Sequence, residues 1–94
     1  MLYALTCLDK PDSAALRAET RPAHLDYIRA RIGNVLLAGP ILAEDEKTPA
    51  GSLLVVEFGT RAELERFSAE DPYVKAGLFQ SVTMRPFRKV FPEA

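Results

Sequence analysis

The stretch GSLLVVEF, residues 51 to 58, is apolar on both faces of any strand it forms: Leu54, Val56 and Phe58 point one way, Leu53 and Val55 the other. LYALTCL, residues 2 to 8, repeats the pattern, with Tyr3, Leu5 and Cys7 opposed to Leu2, Ala4 and Leu8. Strands of this kind need cover on both sides of their sheet. With 94 residues, read as a single domain over 1–94, the chain is near the size at which one core is only marginally sufficient. The number of helices it can lay on that sheet therefore decides the fold.

Two further apolar runs, VLLAGPIL (35–42) and FQSVTMRPFRKV (79–90), complete the set of strands, with Pro40 assigning the former to a sheet edge and Pro86 falling late in the latter. The polar AEDEKTPA (43–50) joins 35–42 to 51–58 as a hairpin loop. After the turn DKPDS, Asp12 and Ser13 can cap a helical segment that Pro22 interrupts. It resumes from Pro22 to Ile32 with Leu25, Ile28 and Ile32 on one stripe, Arg29 and Arg31 in the last turn, and Gly33 and Asn34 as C-cap. The two pieces can be one kinked helix. Thr60 and Glu63 make a capping box that opens a second helix, with Leu64 and Phe67 inward, and DPYVKAG starts a short extra turn.

The order is β-α-β-β-α-β, the α+β ferredoxin-like arrangement, in which two right-handed crossovers put both helices on one face of an antiparallel sheet. Its connectivity gathers residues far apart in sequence: His24, the end of the second strand at Pro40 and Ile41, the start of the third at Ser52, and Asp71 all belong at one end of the sheet. It also leaves one apolar face bare. A second copy of the chain is the expected cover, giving a homodimer through the open sheet faces.

Charge narrows the partners. Twelve Lys and Arg against 13 Asp and Glu leave a net charge of -1, which gives no attraction to nucleic acid or to an anionic membrane, and no aromatic RNA-binding motif is present. A small-molecule substrate or ligand fits better. A single cysteine, Cys7, excludes an intrachain disulfide; with no leader-like start and no apolar run of membrane-spanning length, a cytoplasmic protein is expected. One histidine among scattered carboxylates falls short of a zinc pattern, and neither a metal nor any other cofactor is expected.

His24, in RPAHLDY, is the sole histidine and flanks the apolar stripe of its helix, a position that suits either a general base or a packed imidazole bonded to a carbonyl. Asp71 precedes Pro72 and reads first as a helix cap, yet a carboxylate can also orient an imidazole. Arg17 and Arg21 precede the histidine at helical spacings and can hold an anionic group, although a solvated face is the ordinary reading of each. Ser52 can offer a hydroxyl, or merely start a strand after Gly51. Tyr73 and Tyr27 can line a pocket or serve the core. Cys7 reads as a small buried hydrophobe rather than a nucleophile, and the absence of a G-x-S-x-G elbow disfavours a serine hydrolase.

Six segments in order, LYAL, RPAHL (21–25), AGP (38–40), GSLLVVEF, DPYVKAGLF (71–79) and RPFRKVF (85–91), resemble the YCII-related family, closely its small single-domain YciI-like members. The resemblance spans nearly the whole chain and is weakest over Ala43 to Ala50. It implies a ferredoxin-like subunit, a dimeric α/β barrel and an active site on a histidine and an aspartate, which fall here on His24 and Asp71. Most members have no assigned reaction; the wider superfamily includes isomerases, dehalogenating lyases and oxygenases of small, often aromatic, molecules. Two readings follow. One is a cofactor-independent enzyme, isomerase-like or lyase-like, in which His24 moves a proton with Asp71 behind it and Arg17, Arg21, Ser52 and Tyr73 contact the substrate. The other is a noncatalytic module that binds a small ligand or a protein through the same cleft.

Overall fold

A computed structural model describes residues 1–93. The elements are β1 (Leu2–Asp9), α1 (Ala14–Ala30), β2 (Val35–Leu42), β3 (Pro49–Glu57), α2 (Arg61–Glu70), α3 (Pro72–Lys75) and β4 (Phe79–Phe87), with a 3-10 turn over Ile32–Asn34. They form one antiparallel sheet in the order β2-β3-β1-β4, the ferredoxin-like α+β fold, and Pro40 does lie on an edge strand. The core is the helix-facing side of the central strands: Tyr3, Leu5, Cys7, Leu54 and Val56 pack with Ile28 of α1 and with Leu64 and Phe67 of α2. Thr60 caps α2 by accepting from the Glu63 amide, as the capping box requires.

Several local expectations are corrected. Pro22 does not interrupt α1, which runs unbroken for 17 residues. Proline removes one hydrogen bond, to the carbonyl of Ala18, but Ala18 and Pro22 are exposed, so water can serve that oxygen and the cost stays local. Ser13 occupies the N-cap position without capping, since its hydroxyl donates to the Pro11 carbonyl instead. At the other end α1 stops at Ala30 and the chain tightens into the 3-10 turn; Ile32 is 64% exposed, and Gly33 takes no left-handed conformation. The buried stripe of α1 is therefore Arg17, His24 and Ile28, not Leu25, Ile28 and Ile32. Finally, β4 ends at Phe87 rather than residue 90, and β3 begins at Pro49, which shortens the hairpin loop. Asp45 folds that loop by accepting from the amides of Lys47 and Thr48.

Among the described residues no helix covers the opposite face of the sheet. Leu8, Leu37, Leu53 and Phe87 all point there by register, each between 38% and 49% exposed. Val55 shares the face but is already buried among its neighbours at 6%.

On β3, Gly51 faces Leu8 of β1, and a Cβ on Gly51 would collide with the Cys7 carbonyl oxygen. Backbone cannot yield as a flexible side chain does. Gly51→Ala is expected to lower unfolding stability by about 2–3 kcal/mol, measured by urea denaturation; a change under about 0.5 kcal/mol would show that the two strands are free to separate there.

Candidate active site

A cavity of about 360 Å³ lies between α1 and the β2–β3 half of the sheet. One wall is apolar, made by Leu25 and Ile28 of α1 with Ala38, Gly39 and Pro40 of β2 and Leu54 of β3. The other is polar, made by Arg17, Arg21, His24, Ser52 and Tyr73. No carboxylate lines it.

His24 sits in the middle of α1 rather than early in it, because the helix begins eight residues before Pro22. Asp71 is the hinge between α2 and α3. Its Oδ1 accepts from His24 Nδ1 at 2.8 Å and from the backbone N–H of Tyr73 at 2.9 Å, so one oxygen both caps α3 and holds the imidazole. A carboxylate can only accept here; Nδ1 therefore carries the proton, and in the neutral ring Nε2 carries the lone pair. Nε2 has no protein partner among the described residues, yet no buried polar atom is left unpaired, so this nitrogen opens on the cavity that His24 lines. The Tyr73 ring stacks on the imidazole, with centroids 4.0 Å apart and planes 18° from parallel.

Above this pair lies a second buried constellation. Arg17 donates through Nε to Asp9 Oδ2 (2.7 Å) and through Nη2 to Asp9 Oδ1 (3.0 Å), and Nη2 also donates to Ser52 Oγ (2.9 Å). Its guanidinium lies 4.6 Å from the centre of the Tyr73 ring. Burial opposes the charge of Arg17, but the bidentate bonds and charge of Asp9 outweigh it and hold its pKa above the usual value. Asp9 was not singled out by sequence, where it reads as the first residue of a polar turn. Arg21, by contrast, is exposed and has no ion-pair partner among the described residues.

Tyr27 does not reach the cavity. Its hydroxyl donates to the Phe67 carbonyl at 2.7 Å and Arg31 covers its ring at 3.8 Å, so it ties α1 to α2. Cys7 is 2% exposed, and its thiol is pushed up to about 12, chiefly by burial and then by the charge of Asp71. It is a protonated core residue. Burial likewise raises Tyr73 against the opposing charges of Arg17 and Arg21, leaving a neutral phenol.

With the fold and the geometry of the cavity described, comparison with known proteins places the chain. The YCII-related domain matches residues 1–88, and the chain belongs to that family. Protein YciI of Escherichia coli is 38% identical, with 97% of this chain and 100% of that protein covered. Among solved structures, the 5-chloro-2-hydroxyhydroquinone dehydrochlorinase TftG of Burkholderia phenoliruptrix, in complex with 2,5-dihydroxybenzoquinone, is 30% identical with a TM-score of 0.87 over 94% of each chain. SnoaB, a cofactor-independent oxygenase from Streptomyces nogalater, shares the fold at a TM-score of 0.57 and 11% identity, covering 98% of this chain and 96% of its own. No helix among the described residues is long and apolar enough to cross a membrane.

The raised thiol has a measurable consequence. A folded-state pKa of about 12 against an ordinary 9.0 means that the folded protein keeps a proton the unfolded chain releases. The resulting stability is complete below pH 9 and declines as pH rises toward 12, by at most about 1.4 kcal/mol per pH unit. Tyr73 and Tyr27, both raised from 10.0, act in the same direction from a higher pH. Chemical denaturation should therefore show stability falling from pH 9, and Cys7→Ala should flatten the fall between pH 9 and 10. An unchanged slope in that variant would contradict the account.

Proposed function

We propose that this protein is a cofactor-independent enzyme of small, flat, aromatic or quinonoid molecules, with His24 as general base and acid and Asp71 as its orienting partner, in a lyase-like or isomerase-like step. The observation that carries the reading is the direction of one hydrogen bond: Asp71 occupies Nδ1 and leaves Nε2 as the lone pair facing the cavity. In the forward step Nε2 takes a proton from an acidic O–H or C–H of the substrate. The electron pair left behind expels a leaving group as its anion or shifts along the ring, and Asp71 stabilises the imidazolium until its proton passes to solvent in the elimination or back to another atom of the substrate in the isomerisation. Tyr73 backs the imidazole, while Arg17, Arg21 and Ser52 supply the polar contacts to substrate oxygen. The likeness to a dehydrochlorinase with a quinone ligand supports a ring-sized substrate; the apolar wall and the 360 Å³ volume accommodate one.

The test is turnover of 5-chloro-2-hydroxyhydroquinone, followed by chloride release. His24→Ala is expected to lower turnover by roughly 10²-fold to 10⁴-fold with the fold intact. Asp71→Asn, which still caps α3, should cost less, and the double variant should be little worse than His24→Ala. Full activity in His24→Ala would remove the histidine from the mechanism. Tight binding of the compound without turnover would instead support the noncatalytic module.

We further propose that the protein works as a homodimer through the open sheet face, in the cytosol, where its lone buried thiol stays reduced. Four exposed large apolar side chains on one sheet face are an unfavourable surface for a monomer. Light scattering at micromolar concentration should give twice the chain mass. Leu53→Lys, at a position 38% exposed within the subunit, should give a folded monomer; a wild-type monomer mass would refute the assembly.

A further inference from the structure

Asp9, Arg17 and Ser52 form a chain of buried contacts that proton transfer at His24 does not use. The Asp9–Arg17 pair has each side chain only 8% exposed, and Ser52 is 4% exposed. Keeping an ion pair this deep is costly unless its geometry is used, and here three guanidinium-to-oxygen bonds fix it. The last of them determines what Ser52 can offer. Ser52 Oγ already accepts from Arg17, and among the described residues nothing accepts from Ser52. The hydroxyl lines the cavity, so its hydrogen is the group presented there. A cationic donor behind the oxygen both polarises the O–H and makes the oxygen a poor acceptor for a second partner.

We propose that Asp9 is a positioning residue that acts through Arg17 to make the Ser52 hydroxyl a dedicated hydrogen-bond donor, so that this end of the cavity is a subsite for a carbonyl or oxyanion oxygen of the bound molecule. The proposal rests on the reading of the cavity as a small-molecule site and names its substrate class. His24 Nε2 presents an acceptor and wants an acidic hydrogen; Ser52 presents a donor and wants an oxygen. A ring carrying an acidic hydroxyl conjugated with a carbonyl meets both. Asp9 also balances the charge of Arg17, so the unpaired cation at the cavity is Arg21, and a ligand with one negative charge is matched there.

Two probes separate the subsite from the rest of the site: 4-hydroxybenzaldehyde, whose acidic hydroxyl is conjugated with a carbonyl, and 4-methylphenol, which has the hydroxyl without the carbonyl; both are uncharged in mildly acidic buffer, so their ratio reads the carbonyl and not the charge. Affinities are measured by calorimetry, independently of turnover. The wild type should prefer the aldehyde by about 10-fold or more, the worth of one hydrogen bond from a hydroxyl polarised by a cation. In Ser52→Ala and in Asp9→Asn that preference should collapse to within about 3-fold, and the double variant should be no worse than either. A merely structural role for Asp9 would weaken both probes alike and keep their ratio. Should Asp9→Asn fail to fold, Ser52→Ala and Arg17→Lys still decide the matter, Arg17→Lys losing the preference because an ammonium cannot bond Asp9 and Ser52 with the same fork. An unchanged ratio in Ser52→Ala, or no binding of the aldehyde by the wild type at millimolar concentration, overturns the subsite. Neither result touches proton transfer by His24 to another substrate, which fails only on the turnover of His24→Ala.

Discussion

One carboxylate oxygen holds the polar half of this molecule together. Asp71 Oδ1 accepts from an imidazole on α1 and from the first free amide of α3. A buried carboxylate without donors would be expelled or neutralised; with two, it becomes the fixed point from which both rings of the site are placed. The α3 turn exists because Asp71 caps it and Pro72 opens it, and that turn delivers Tyr73 onto the face of the ring that Asp71 also holds. The 4.0 Å stack is thus a consequence of the hydrogen bonds rather than an independent contact. Changing the residue at 71 disturbs the imidazole, the ring stacked on it and a helix start together.

The second constraint is that α1 buries arginine and histidine on the face it turns to the sheet. A helix in a chain this small would ordinarily spend that face on aliphatic residues, because burial of each contributes about 1.5–3 kcal/mol. Here Ile28 alone of the fully buried residues of α1 does so, and the aliphatic contribution of the core comes from β1, β3 and α2 instead. The division is spatial. The lower part of α1 packs, its middle holds the imidazole, and its first turns hold the guanidinium against the end of β1.

That division explains what could be read from the sequence. The strands were legible because Leu, Val and Ile runs bounded by Gly, Pro and charged turns have few other solutions, and the order of elements then limited the topology to one. The meeting of His24 with Asp71 follows from that order and not from any local motif. The face of α1 was misread for the same reason that it matters: a search for aliphatic periodicity selects Leu25 and Ile32 and passes over Arg17, because a buried arginine is invisible until its partner is found. Asp9 was missed as that partner. In DKPDS it looks like turn chemistry, and only the pairing of β1 with its neighbours shows that it ends a central strand, two residues beyond the Cys7 that faces Ser52. Pro22 misled in the opposite sense, since a local rule about helix interiors was outweighed by a solvent-facing carbonyl.

The same geometry argues about the kind of chemistry the cavity can support. Three side chains near it carry a group that elsewhere acts as a nucleophile, and each is held out of that role. Cys7 is kept as a thiol by its burial. Tyr73 is kept as a phenol, stacked on the histidine. Ser52 is bonded to a guanidinium rather than to a base, and a donor on its oxygen draws away the electron density an attack would need. In the proposed reading what remains facing the cavity is a lone pair on His24 Nε2, a donor on Ser52 and a cation on Arg21 with no ion-pair partner among the described residues. Together such groups can accept a proton and stabilise the negative charge its departure creates. On that proposal the arrangement suits enolisation and elimination better than acyl or glycosyl transfer, with the substrate supplying both the acidic hydrogen and the oxygen that receives its electrons.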